Sequence, residues 1–88
     1  MRKIAYWRGS PRATKKQELL KLLKLLHVSR EDIFYDLGCG YADTCIWASK
    51  YVKMSIGIED HHYRYLKALQ NVANSKCTNI KILKTDVS

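Results

Sequence analysis

The stretch Ile33-Phe34-Tyr35-Asp36-Leu37-Gly38-Cys39-Gly40 constrains this chain more than any other. An apolar run, broken only by Asp36, leads directly into two glycines one residue apart. Such a run reads as a buried parallel strand, apolar on both faces. The glycines accept backbone angles that side chains forbid, and they let a ligand lie close against the main chain. The segment from Asp43 to Tyr51 has helical character. Strand, glycine turn and helix are the opening unit of a nucleotide-binding α/β fold.

Asp36 narrows the ligand. It stands two residues before the first glycine, where a dinucleotide fold brings a pyrophosphate that a carboxylate repels. The third glycine of G-x-G-x-x-G is also missing, since position 43 is Asp. A ligand with a cationic head and no phosphate suits the site better. S-adenosylmethionine, with its ammonium and sulfonium, is such a ligand.

A second signal lies downstream. Met54-Ser55-Ile56-Gly57-Ile58-Glu59 reads as a second strand ending in an acid nineteen residues after Gly40. That is close to the ~20 residues expected for a ribose-binding carboxylate. One carboxylate accepts from both alcohols of a ribose.

The other elements frame these two. Residues 1 to 13 read as a basic, aromatic, irregular arm, with Tyr6 and Trp7 stapling it to the domain surface. Thr14-Lys15-Lys16-Gln17 fits a capping box opening a helix. Leucines at 19, 20, 22, 23, 25 and 26 give that helix a wide apolar face for one side of a sheet, with lysines outward. Asp43 or Thr44 is expected to cap the second helix, and Ile46, Trp47 and Tyr51 to pack on the sheet. Asp60 opens a third helix reaching Asn74, with Leu66, Leu69, Val72 and Ala73 spaced as its core face. Asn79 to Asp86 alternates and reads as the third strand. The order is α-β-α-β-α-β. Right-handed crossovers place the strands as a parallel sheet in the order 3-2-1, with every acid-bearing end on one edge.

Composition closes off other classes. The chain is 47% hydrophobic and 27% charged, which is globular rather than disordered. No apolar run approaches the ~20 residues of a membrane span. The N-terminus lacks the apolar core of a secretory signal. Cys39, Cys45 and Cys77 show no C-x-x-C spacing, so reduced thiols in a cytoplasmic protein are expected, without a disulfide or zinc. Glu59-Asp60-His61-His62 gives no i,i+4 ligand pair, and no metal is expected there. The net charge of +8 is concentrated: residues 1 to 30 hold nine Lys or Arg against one Glu, while the remainder holds seven of each sign. Residues 1 to 24 are thus a candidate contact for nucleic acid, with a solvated positive face as the alternative.

Asp36-Leu37-Gly38-Cys39-Gly40 resembles the first motif of the class I S-adenosylmethionine-dependent methyltransferases, with Ala42 where the family usually has a third Gly. The resemblance implies a Rossmann-like methyltransferase fold and S-adenosylmethionine as cofactor. It implies that Glu59 binds the cofactor ribose and that Asp86 bonds the adenine amino group. Asp36, Leu37, Gly38, Cys39, Gly40, Glu59, Asp60 and Asp86 are the candidate cofactor-binding residues. Ser10-Pro11 and Tyr35 to Gly40 are further similar to small archaeal protein-lysine methyltransferases, although Tyr41 stands where those have an acid.

The family's fold continues beyond three strands, and its fourth carries the methyl-transfer site. Nothing here corresponds to that segment, so no catalytic residue is assigned. Residues 14 to 88 are expected to be the cofactor-binding half of an incomplete methyltransferase domain, leaving an unpaired sheet edge at the first strand. The methyl acceptor, protein or nucleic acid, stays open. The competing readings are a basic nucleic-acid-binding module and an inactive remnant.

Overall fold

The computed structural model describes residues 4–8 and 16–85. Its elements in chain order are β1 (Ile4–Arg8), α1 (Lys16–Leu25), β2 (Ile33–Leu37), α2 (Asp43–Ser49), β3 (Met54–Glu59), α3 (His62–Ser75) and β4 (Ile80–Lys84). The four strands form one parallel sheet in the order β1-β2-β3-β4. The three strands read from the sequence are β2, β3 and β4, in the expected neighbour order.

β1 is a correction. Ile4–Arg8 falls in the segment read as an irregular arm, yet it pairs in parallel with β2, from Ile4 beside Ile33 to Arg8 beside Leu37. The β2 edge expected to be bare is therefore paired. Ile-Ala-Tyr-Trp is rich in strand-forming side chains, and the free N–H and C=O groups along β2 offer it a template. The flanking arginines and lysine hide that propensity in the sequence. The proposed Thr14 cap and the Tyr6 and Trp7 side chains lie outside the described residues.

Each crossover moves one strand onward in the same direction. Right-handed crossovers of that kind put every helix on the same face. Packing agrees. Leu19 and Leu23 of α1 meet Phe34 of β2 and Ala48 and Val52 at the end of α2 in one buried cluster. Ala68 of α3 meets Ile82 of β4, Cys45 of α2, and Cys39 and Ala42 of the glycine loop in a second. On the other face, Leu37, Met54 and Leu83 stay 41%, 37% and 39% exposed, and no described element covers them.

Two helices differ from expectation. α3 turns Ala68 inward with Tyr65 and Val72 beside it, while Leu66 and Leu69 face out at 49% and 39% exposure. Only a small residue fits where the helix crosses Ile82 and Cys45, so close approach rather than bulk sets the inward stripe. α2 has no side-chain cap. Its N-cap is Ala42 in the left-handed region (φ 73), and Asp43 is already helical. Tyr51, expected on the sheet, is 45% exposed.

Candidate functional site

The C-terminal ends of β2 and β3 lie side by side, with Leu37 beside Ile58. This brings Asp36, Leu37, Gly38, Cys39, Gly40, Glu59 and Asp60 to one sheet edge. Asp86 lies outside the described residues; β4 ends at Lys84, and the Thr85 N–H donates to the Glu59 carbonyl at 3.2 Å.

The loop after β2 is held by its own amides. The Gly38 and Cys39 N–H groups both donate to the Ile58 carbonyl, at 2.8 and 3.0 Å, and the Ala42 N–H donates to the Cys39 carbonyl at 2.9 Å. The Gly40 N–H donates to Glu59 Oε1 at 2.8 Å. Four donors are thus spent inside the protein. A loop that cradles a pyrophosphate points such amides at it instead. Gly38 and Gly40 take φ of 76° and 58°, and a Cβ added at either would meet nothing within 4 Å. The backbone favours glycine at both positions, and the space beside them is open.

Glu59 is the polar hinge of the edge. Its side chain is 3% exposed. Oε2 accepts the His61 N–H at 2.9 Å and faces Arg64 Nε at 3.4 Å, while Oε1 holds the glycine loop. Burial alone would raise its pKa. The His61 and Gly40 amides and the Arg64 charge outweigh burial and hold the carboxyl below its ordinary value, so it is an ionised acceptor.

Asp36 does something other than meet a ligand head-on. Phe34 and Asp36 alternate toward the helices, so the carboxyl lies 1% exposed between sheet and α2. Oδ2 lies 3.9 Å from the Cys45 thiol, and Oδ1 is buried without a hydrogen-bond partner. Burial pushes its pKa up to about 7; the Cys45 thiol lowers it, and the Glu59 charge adds to the rise. Cys45, beside the Cys39 thiol, buried, and next to Asp36, is held firmly as the neutral thiol. The argument that Asp36 repels a pyrophosphate across an open edge therefore does not describe this site. The spent loop amides disfavour phosphate on separate grounds.

Sequence reasoning missed four contributors. Gly57 sits in β3 between Asp36 and Ile82, and a Cβ there would lie 2.8 Å from both the Cys39 and Cys45 sulfurs and 2.9 Å from Ile82 Cδ1. A glycine inside a strand is a readable sign of such close approach. Cys45 and Arg64 carried no legible signal. Asn71 Nδ2 donates to the Tyr41 carbonyl at 2.9 Å, tying α3 to the loop. Its helical spacing from the inward residues gives no hint of that.

No protein-family profile matches the chain. The chain is 40% identical over 65 residues to an RNA methyltransferase of Protochlamydia amoebophila, covering 74% of this chain and 15% of that protein. It is 36% identical over 67 residues to a protein-lysine N-methyltransferase of Saccharolobus islandicus, covering 74% of this chain and 42% of that protein. It spans less than half the length of either. Among solved structures, an RNA methyltransferase from Salinibacter ruber in complex with S-adenosyl-L-homocysteine superposes with a TM-score of 0.75 and 26% identity, over 85% of this chain and 50% of that one.

Proposed function

Because the chain belongs to the class I S-adenosylmethionine-dependent methyltransferases, we propose that it is the cofactor-binding half of such an enzyme and that the edge of β2 and β3 holds S-adenosylmethionine. One observation carries this reading: a glycine loop with open space at both glycines is fastened to the carboxylate that ends the next strand. The Salinibacter neighbour binds the demethylated cofactor on the same fold, which supports it. The cofactor supplies a methyl group on an electron-poor sulfur, and this chain's residues hold and orient it.

In this reading Gly38 and Gly40 let the cofactor approach the backbone. Glu59 Oε1 accepts the Gly40 N–H and keeps a second lone-pair site for a ribose hydroxyl, while Oε2 is taken by the His61 N–H and Arg64 Nε. Asp60, exposed beside it, borders the same edge, and Asp86 is proposed for the adenine amino group. Leu37 and Cys39 shape the loop. Asp36 supports it from beneath, with its buried Oδ1 as an unspent acceptor.

For the acceptor, charge favours RNA. A domain of net charge +8 attracts a polyanion and repels a lysine ammonium. The Protochlamydia and Salinibacter relatives are RNA methyltransferases. Protein lysine is the second reading, favoured by the Saccharolobus relative, of which this chain covers the larger share.

Calorimetry with S-adenosylhomocysteine on the chain and on Glu59→Gln tests the cofactor site. Hydrogen bonds to a charged group contribute about 1.5–3 kcal/mol, so the variant is expected to bind about 10- to 100-fold more weakly. Equal affinity for the two chains would remove Glu59 from the site.

A further inference from the structure

The opposite edge of the sheet carries a second feature. A depression of about 640 Å³ opens where the chain enters β2, β3 and β4. Arg30, Lys50, Lys53 and Lys76 line it, with Cys77 and Asn79 among the other lining residues. Among the described residues no carboxylate lines it. Of the carboxylates nearest in sequence, Asp32 is buried and accepts the Ser29 N–H at 2.7 Å and Glu31 is exposed, and neither is in the lining. Asn79 is occupied, donating to the carbonyls of Ser49, Val52 and Lys53 at 2.8, 3.2 and 3.3 Å. The four cations are the charged groups that the lining presents to an incoming ligand.

Three separate chain segments deliver these charges: the turn before β2, the α2–β3 connection and the α3–β4 connection. Like charges gathered from three segments repel one another unless a ligand neutralises them. We propose that this depression is a docking site for the phosphodiester backbone of a single-stranded RNA acceptor. It rests on the RNA reading given above for what the bound strand is, and it is distinct from residues 1 to 24. The cofactor edge lies one strand length away, about 17–20 Å at ~3.3 Å per residue. Backbone contacts there fix register without reading sequence, leaving bases free to reach the cofactor edge several nucleotides on.

The test is fluorescence anisotropy with a labelled 12-nucleotide oligouridine across a salt series. The triple variant Lys50→Gln, Lys53→Gln, Lys76→Gln is compared with Lys16→Gln, Lys21→Gln, Lys24→Gln on the exposed face of α1. Each phosphate contact contributes about −0.7 to the single-strand salt slope, so the first triple is expected to lower the slope by about 2 and the affinity about a hundredfold at 0.1 M salt. The α1 triple is expected to change little. An equal or larger loss from the α1 triple overturns the proposal. So does tighter binding by an oligoglutamate of matched charge.

Cys77 provides a second readout. Its thiol is half-buried in the depression, whereas Cys39 and Cys45 are buried. Bound oligouridine is expected to slow iodoacetamide alkylation of Cys77 several-fold, and an unchanged rate contradicts docking there. Both triples are expected to bind S-adenosylhomocysteine as the parent does. Loss of cofactor binding by the parent itself refutes the methyltransferase reading, while the salt slopes still decide the docking site.

Discussion

Replacing Asp36 by Asn tests whether the carboxyl beneath the glycine loop is as isolated as its geometry implies. Its pKa rises from 3.8 in the open chain to about 7 in the folded one, through burial first. Below pH 3.8 both states hold the proton. Between there and about 7 only the folded state does, so stability falls as pH rises through that window. A rise of about three units at 1.36 kcal/mol each sets the full loss at roughly 4 kcal/mol. Glu59 acts in the opposite sense. Its folded pKa lies below the ordinary 4.5, so its contribution is present above that value and is lost as pH falls through the folded pKa. The interval from pH 5 to 8 therefore isolates Asp36. Only the two units from pH 5 to about 7 fall in that interval, a loss of about 2.7 kcal/mol, so urea unfolding followed by circular dichroism is expected to show the parent's midpoint dropping by about 1.4 M for a slope of about 2 kcal/mol per M. Asp36→Asn removes the titration and leaves a neutral amide to satisfy at a cost of about 1–3 kcal/mol. It is thus expected to gain about 2.7 kcal/mol on the parent between pH 5 and 8 and to be the more stable of the two at pH 8. Parent and variant with parallel pH profiles, or a variant weaker than the parent at pH 8, would refute the reasoning.

Gly57→Ala would press a methyl against two sulfurs and Ile82, all within 3.0 Å; a loss of about 1–3 kcal/mol by urea unfolding is expected, partly recovered by adding Cys45→Ala. A full recovery by Cys45→Ala alone would show that Ile82 and Cys39 give way freely. Asn79→Ala strips one amide from three carbonyls at and after the end of α2; a loss of about 1–3 kcal/mol is expected, with faster amide exchange in α2 as the local sign. An Asn79→Ala chain as stable as the parent would mean that water replaces the side chain.

The parts of this fold legible in the sequence are those where local pattern and tertiary role coincide. The apolar run into Gly38 and Gly40 is one: positive φ at both positions favours glycine. The nineteen-residue spacing to Glu59 is another, because β3 must return beside β2 for the spacing to mean anything, and it does. Elsewhere tertiary context overrode the local signal. Ile4–Arg8 is too short and too crowded with basic neighbours to stand out, and only the exposed edge of β2 makes it a strand. The helical pattern of α3 admits two adjacent stripes, and Gly57, Cys45 and Ile82 select the one containing Ala68. Asp36 was legible as a residue of the site but not in orientation. Strand alternation turns it under α2, where it meets a thiol whose position no sequence pattern announces.

The central claim is that the β2–β3 edge holds an S-adenosylmethionine-type cofactor. Its most direct test is a two-dimensional amide NMR titration of the chain with S-adenosylhomocysteine. The account predicts shifts centred on Gly38, Gly40 and the Glu59–His61 turn, with Arg30, Lys53 and Lys76 at the far edge unmoved. Dispersed peaks that do not move at the glycine loop, or shifts centred on the far edge, would contradict it.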